Sequence, residues 1–355
     1  VAGRGVVARG ATGPEAAASA RAFGTFAHVA TGDLAVTATR QRVAQSYATV
    51  VLRGALSAPL LSDLHSRRAG ITLFAYEKGA GLGSADAATF RQSHPEWIAH
   101  DVKGNEIRPL NIAGTTLADL TNPAFRAWQA QQIAAEVSLG ADGAFIDTLG
   151  AYFPVEFYSA RPVIAGVPVT DAAWRDASVD LLRRIKTATG KTVVVNGFGL
   201  GTGAAYYKAS AAADALIAAA DGVQVEGFTR WGDAPAAQVR KAPQWDQDLA
   251  FLSVLGAKGK LAYAYTKVNA SATAAQLTAL RDCALGSFLL AYTANRSSFG
   301  FDDGKRVPVI ASDAAWAANL GSPTAGRARA GATGWSRPFA GGVLTVTVGS
   351  APVVS

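Results

Sequence analysis

Residues 141–153 read ADGAFIDTLGAYF. A short apolar run, Ala144-Phe145-Ile146, lies between two acids, Asp142 before it and Asp147 after it. A run this short, following a glycine, predicts a buried strand over 143–148 rather than a helix. Asp142, in GADGAF, precedes the strand and has the position of a turn residue. Asp147 ends the run, where a carboxylate either caps the following segment or is delivered into a cleft. The neighbouring segments decide between these two roles.

Working outward, short β-branched or aromatic runs recur at 23–30, 48–54, 71–77, 192–197, 222–228, 261–266 and 297–301. Helical patterns such as NPAFRAWQAQQIAAEVSLG and DAAWRDASVDLLRRIKTATG separate them. Strands alternating with helices imply a parallel sheet. Eight such units predict an α/β chain folded as a (β/α)8 TIM barrel, whose usual length is roughly 250 residues. A doubly wound sheet is the alternative, but no glycine-rich phosphate turn follows the first strand, and GLGTG comes after the fifth. Residues 78–122 are too long for a simple connection. They include HPEWIAHDVKGNEIRPL, which predicts a hairpin turning at Lys103-Gly104-Asn105 and walling the barrel mouth. GWSRPFAGGVLTVTVG alternates around Gly-Gly and predicts a small C-terminal β-hairpin against the barrel. The expected organisation is a flexible segment at 1–20, the barrel at 21–320 and the hairpin region at 321–355.

The chain has 355 residues, half of them hydrophobic and 17% charged, the balance of a folded globular protein. No apolar run reaches the about 18 residues that suggest a membrane span, so no membrane partner is expected. The net charge of +7 has no basic cluster behind it, so no nucleic acid is expected either. The single Cys283, in a helical pattern, reads as a small buried hydrophobe. Four scattered histidines lack metal-ligand spacing, so neither a metal nor an organic cofactor is expected. There is no methionine, and the Ala/Gly/Thr-rich opening resembles the stretch after a secretory cleavage site, which predicts an exported mature protein.

In a barrel the residues at the carboxyl ends of the strands form the functional rim. Here they are His28, Arg53, Glu77 with Lys78, Asp147, Asn196, Glu226, Thr266 with Lys267, and Asp302 with Asp303. Buried charge without partners is costly, so such a ring points to a site. Asp147 and Glu226, on strands four and six, could face one another across the mouth. Glycoside hydrolysis needs such a pair, one carboxyl group protonated and one ionised. Asn196, on strand five between them, could bind a sugar hydroxyl or orient an acid. The structural alternatives are a buried ion pair of Glu226 with Arg230 or Arg53, mutual pairing of Glu77 and Lys78, and a satisfied core role for His28. Aromatics at the same rim suit sugar rings: Tyr76, Tyr152, Phe228, Trp231 and Tyr265. Trp231 is the best of these, in the polar loop TRWGDAP, whereas Trp128 and Trp174 lie on helical patterns and read as packing.

HPEWIAHDVKGNEI, LADLTNPAFRAWQAQQIAAEVSLGADGAFID, VVVNG and GVQVEGF resemble the TIM-barrel glycosyl-hydrolase-like proteins of family 15. The layout is similar to the endo-α-1,4-polygalactosaminidases and, more distantly, to the α-galactosidase clan. The resemblance covers most of residues 70–350. It implies Asp147 as nucleophile or base, Glu226 as general acid, and Asp119 in holding a cleft loop. The expectation is a secreted glycosidase acting on a poly- or oligosaccharide. Glu226 would then have a raised pKa and Asp147 would stay ionised with help from Asn196, Arg53 or Lys267. The other class is a carbohydrate-binding barrel without catalysis.

Overall fold

The computed structural model describes residues 23–236, 238–304, 320–349 and 353–354. The proposed flexible segment 1–20 lies outside them, as do residues 305–319 at the end of the expected barrel region. Among the described residues, eight strands close into a parallel barrel, as the alternating pattern predicts. They are β1 Gly24–Ala30, β2 Thr49–Arg53, β3 Thr72–Lys78, β4 Gly143–Gly150, β5 Thr192–Phe198, β6 Gly222–Val225, β7 Leu261–Lys267 and β8 Ser297–Asp302. β1 pairs with β8 to complete the ring, Thr25 opposite Phe299. The outer helices are α1 Thr37–Ser46, α2 Ala58–Arg67, α3 Pro123–Ser138, α4 Asp171–Thr189, α5 Ser210–Ala219, α6 Ala242–Ala257 and α7 Ala274–Ala291.

Local chemistry marks the helix ends. α3 begins at Pro123, behind Asn122, whose side chain accepts from Ala124 N. α7 starts with a reciprocal box, Thr273 accepting from Gln276 N while the Gln276 side chain accepts from Thr273 N. α4 stops at Gly190, whose φ of 60° suits a residue without Cβ.

Strand side chains alternate between faces, and this alternation builds the site. Phe26, Val51, Phe74, Phe145, Val194, Tyr263 and Tyr265 fill the barrel's interior as one packed cluster. Two residues beyond this layer stand His28, Arg53, Tyr76, Asp147, Asn196 and Lys267, on the same inward parity. The intervening residues, such as Val29, Leu52, Ala75 and Ile146, pack outward under the helices.

The stretch after β3 is more structured than a single hairpin. It holds a helix over Ser84–Ser93, a short antiparallel pair of Gly81–Leu82 with Thr116–Leu117, and buried Trp97. The expected turn is present: Asp101 N donates to Asn105 O, and Gly104 has φ 81°. A second excursion after β4, with a hairpin of Val163–Ile164 and Val167–Pro168, leans on the first through Leu110 N donating to Phe157 O. At the C-terminus the predicted hairpin, Gly334–Phe339 with Gly342–Thr347, forms the centre of a four-stranded antiparallel sheet. Its Arg337 guanidinium donates to the carbonyls of Leu289 and Tyr292 at the end of α7.

Candidate active site

Asp147 stands inside its strand at an irregularity, not at the strand's end. The pairing of β4 with β5 shifts between Ile146 and Leu149, and Thr148 takes φ 63°, a conformation costly for a β-branched residue. A Cβ on Gly197 would overlap the Leu149 carbonyl, so glycine on the facing strand makes room for the shift. Asp142, expected as a turn residue, ties two strands together: its Oδ2 accepts from Leu73 N, 69 positions earlier in β3.

Three donors clamp Asp147. Oδ2 accepts from Tyr76 Oη at 2.6 Å, and Oδ1 accepts from Thr148 N at 2.7 Å and Asn196 Nδ2 at 3.0 Å. The same Asn196 Nδ2 donates to Glu226 Oε2 at 2.9 Å. One amide nitrogen therefore bridges the two acids, while Asn196 Oδ1 is buried and has no partner among the described residues. Glu226 follows the last residue of β6, and its Oε1 accepts from Lys267 Nζ at the end of β7. Glu226 thus has its ion pair, with Lys267 rather than with Arg230 or Arg53.

These contacts reverse the expected electrostatics. Burial raises the Asp147 carboxyl to about 6, the negative charge of Glu226 adds to the rise, and the three donors oppose it. Glu226 is held below its usual value because the Lys267 ammonium and the Asn196 amide overcome the effect of burial. In the free protein the first proton taken up by the pair therefore sits on Asp147. Burial, reinforced by the cations of Arg53 and Lys267, lowers His28 to about 4, leaving it neutral; its Nε2 donates to Gln224 Oε1 at 2.6 Å. Tyr265 Oη donates to Asp302 Oδ2 at 2.8 Å.

A cavity of about 270 Å³ opens over this layer. His28, Arg53, Tyr76, Asp147, Asn196, Glu226, Tyr265 and Lys267, all selected from the sequence, line it. Gln224, Asn269 and Asp302 complete the lining. Asp302 stands in the strand-end ring, but Gln224 lies within a strand and Asn269 in the next loop, where a strand-end search does not look. Parity gives the signal for Gln224, two residues before Glu226.

The other selected residues lie elsewhere. Glu77 has outward parity and lines a separate cavity of about 430 Å³ with Asp86, Trp128 and Glu136; burial and those two acids raise it to about 7. Lys78 neither pairs with Glu77 nor lines the site, and its Nζ donates to Thr115 Oγ1 in the excursion after β3. Phe228 is wholly buried in the outer core, and Tyr152 packs half-buried against that core. Arg230 is 1% exposed, its guanidinium donating to the carbonyls of Ala234, Pro235, Gln238 and Lys267. It shapes a loop instead of meeting solvent. Trp231 lies on the rim outside the cavity and is 51% exposed. Asp119, assigned a loop-holding role by resemblance, accepts at Oδ1 from both Thr121 N and Thr121 Oγ1.

The family described as hypothetical glycosyl hydrolase family 15 matches residues 74–343. Among solved structures, the glycoside hydrolase domain of PelA from Pseudomonas aeruginosa is 22% identical with a TM-score of 0.52, over 81% of this chain and 98% of that one. An alpha-amylase from Lactobacillus plantarum is 12% identical with a TM-score of 0.53, over 92% of this chain and 88% of the other. Both are likenesses of fold. Among the curated proteins compared, none matches.

Proposed function

The chain is a glycosidase belonging to hypothetical glycosyl hydrolase family 15, and from that premise we propose that Asp147 and Glu226 cleave a glycosidic bond by a two-carboxylate mechanism. The observation that carries the reading is the single Asn196 amide nitrogen bonded to both acids, at 3.0 and 2.9 Å. The two bonded oxygens are no farther apart than these bonds laid end to end. So close an approach of the two acids favours the about 5–5.5 Å carboxyl separation of retaining enzymes over the roughly 6.5–9.5 Å of inverting ones.

Asp147 is the nucleophile. Its donors hold the oxygens in place and favour the charged form. Its oxygen attacks the anomeric carbon as the glycosidic C–O bond breaks, and Glu226 gives its proton to the leaving oxygen. Glu226 then takes a proton from water, whose oxygen attacks the anomeric carbon and frees Asp147. This requires the proton to sit on Glu226 at the moment of reaction. Lys267 governs that choice, because its ammonium is what favours ionised Glu226 in the free protein. When a sugar oxygen draws Lys267 away, Glu226 gains proton affinity; once neutral, it no longer raises Asp147. The sugar's hydroxyls meet His28, Asn196 and Gln224, and the substrate is a poly- or oligosaccharide met outside the cell.

The test is product release from a panel of polysaccharides and aryl glycosides, comparing wild type with Asp147→Asn and Glu226→Gln. Turnover of one glycan, lost in both variants, with the anomer retained in the first product by NMR, is the expected outcome. Near-native turnover in either variant overturns the assignment, and an inverted product overturns retention.

A further inference from the structure

Among the described residues, Trp231 is the large aromatic at the catalytic rim that stands half in solvent, and its support is unusually well built. Behind it, the buried Arg230 guanidinium gathers four carbonyls and fixes the course of the loop. Arg240 donates to the Gly227 carbonyl at 2.6 Å, pairs with wholly buried Asp248 at 2.8 Å, and sets its guanidinium carbon 5.5 Å from the indole centroid. Asp248 in turn accepts from Gly203 N and Thr229 N, tying the loops after β5 and β6 together. The ring rests on glycine: a Cβ on Gly227 would come within 3.1 Å of it, and one on Gly201 within 3.8 Å. A buried ion pair and two glycines thus brace a side chain that remains 51% exposed.

The platform adjoins the catalytic cavity. Asn269, which lines that cavity, donates from its backbone to the Gly232 carbonyl at 2.9 Å and from its side chain to Asp233 Oδ1 at 2.7 Å. A ligand leaving the cavity past Asn269 therefore meets the Trp231 loop.

We propose that Trp231 is the floor of an outer sugar subsite, so that the substrate is an oligosaccharide chain reaching out of the cavity toward the loops after β5 and β6. This rests on the glycosidase reading of Asp147 and Glu226 and adds the chain length recognised. An indole face offers a flat apolar surface to the C–H face of a pyranose, with the Asp233 and Asn269 side chains beside it for hydroxyls. An isolated exposed aromatic is ordinary on a protein surface; one immobilised by buried charge beside a catalytic cavity is organised for a ligand.

The experiment uses the full chain with Asp147→Asn, so that bound sugars are not consumed, on an array of neutral, amino and uronic oligosaccharides from dimers to octamers. Trp231→Ala and Trp231→Phe are added to that background, with thermal unfolding to verify the fold. The expected result is binding that strengthens with chain length, a loss of about tenfold or more for long chains in Trp231→Ala that exceeds any loss for dimers, and rescue by Trp231→Phe. An unchanged length dependence in Trp231→Ala, an equal loss for dimers and octamers, or no oligosaccharide bound overturns the proposal. The two readings fail separately: persistent turnover in Asp147→Asn removes the catalytic assignment and leaves the length dependence to be read.

Discussion

Replacing Lys267 by methionine keeps the stem and removes the charge that holds Glu226 ionised. Lys267 Nζ contacts Glu226 Oε1 directly, and the two side chains are 26% and 30% exposed. Unit charges about 4 Å apart at an effective dielectric near 20 attract by about 4 kcal/mol, equivalent to roughly 3 pKa units. Exposure screens part of this, so a rise of about one to two units is expected for the pair. Turnover needs the singly protonated pair, and that proton is lost near Asp147's value of about 6. In wild type, activity therefore falls as pH rises through about 6. Without the Lys267 ammonium the pair keeps its proton to higher pH, and the alkaline limb moves upward. The assay is kcat/KM against pH for the glycan identified from the panel, for wild type and Lys267→Met. An alkaline limb that stays in place, or moves down, refutes the reasoning.

Tyr76→Phe removes the 2.6 Å donor to Asp147 Oδ2; a hydrogen bond to a charged group is worth about 1.5–3 kcal/mol, so kcat should fall about tenfold to a hundredfold with the fold intact. Asp248→Ala leaves the Arg240 guanidinium, whose side chain is 8% exposed, without its buried partner; chemical denaturation should show a loss of about 3–5 kcal/mol. Burial places Asp248 and Asp147 both at about 6, above the unfolded value of about 3.9. Between those values the folded state binds more protons than the unfolded one, so stability should decline as pH rises through that window, with a shallower decline in Asp147→Asn. Arg230→Ala should lower Tm by stranding the four carbonyls it serves, while an affinity loss confined to dimers with Tm unchanged would return it to the substrate site.

The sequence by itself determined the barrel, because alternation of strand and helix patterns is a local property of the chain and parallel strands separated by helices have few ways to close. It also indicated most of the cavity lining: His28, Arg53, Asn196 and Lys267 stand at or near the carboxyl ends of their strands, and Asp147, though inside its strand, joins them in the same cavity. Tertiary structure decided what depends on a single residue of register or on neighbours distant in sequence. Tyr76 points inward and Glu77 outward because strand side chains alternate, so a one-residue uncertainty at a strand's end exchanges a site residue for a flank residue. Phe228, at the end of the sixth strand pattern, and Arg230, in the polar loop after it, both read as rim residues, yet the turn beyond β6 folds both inside, where core side chains and carbonyls satisfy them. The acid pair reversed for the same reason. The sequence neighbours Val225 and Phe228 are apolar, which by itself favours a raised pKa for Glu226, but the Lys267 ammonium, 41 positions away, pulls it down. Proton affinity follows the nearest charges in space, and the barrel brings those together only on closing.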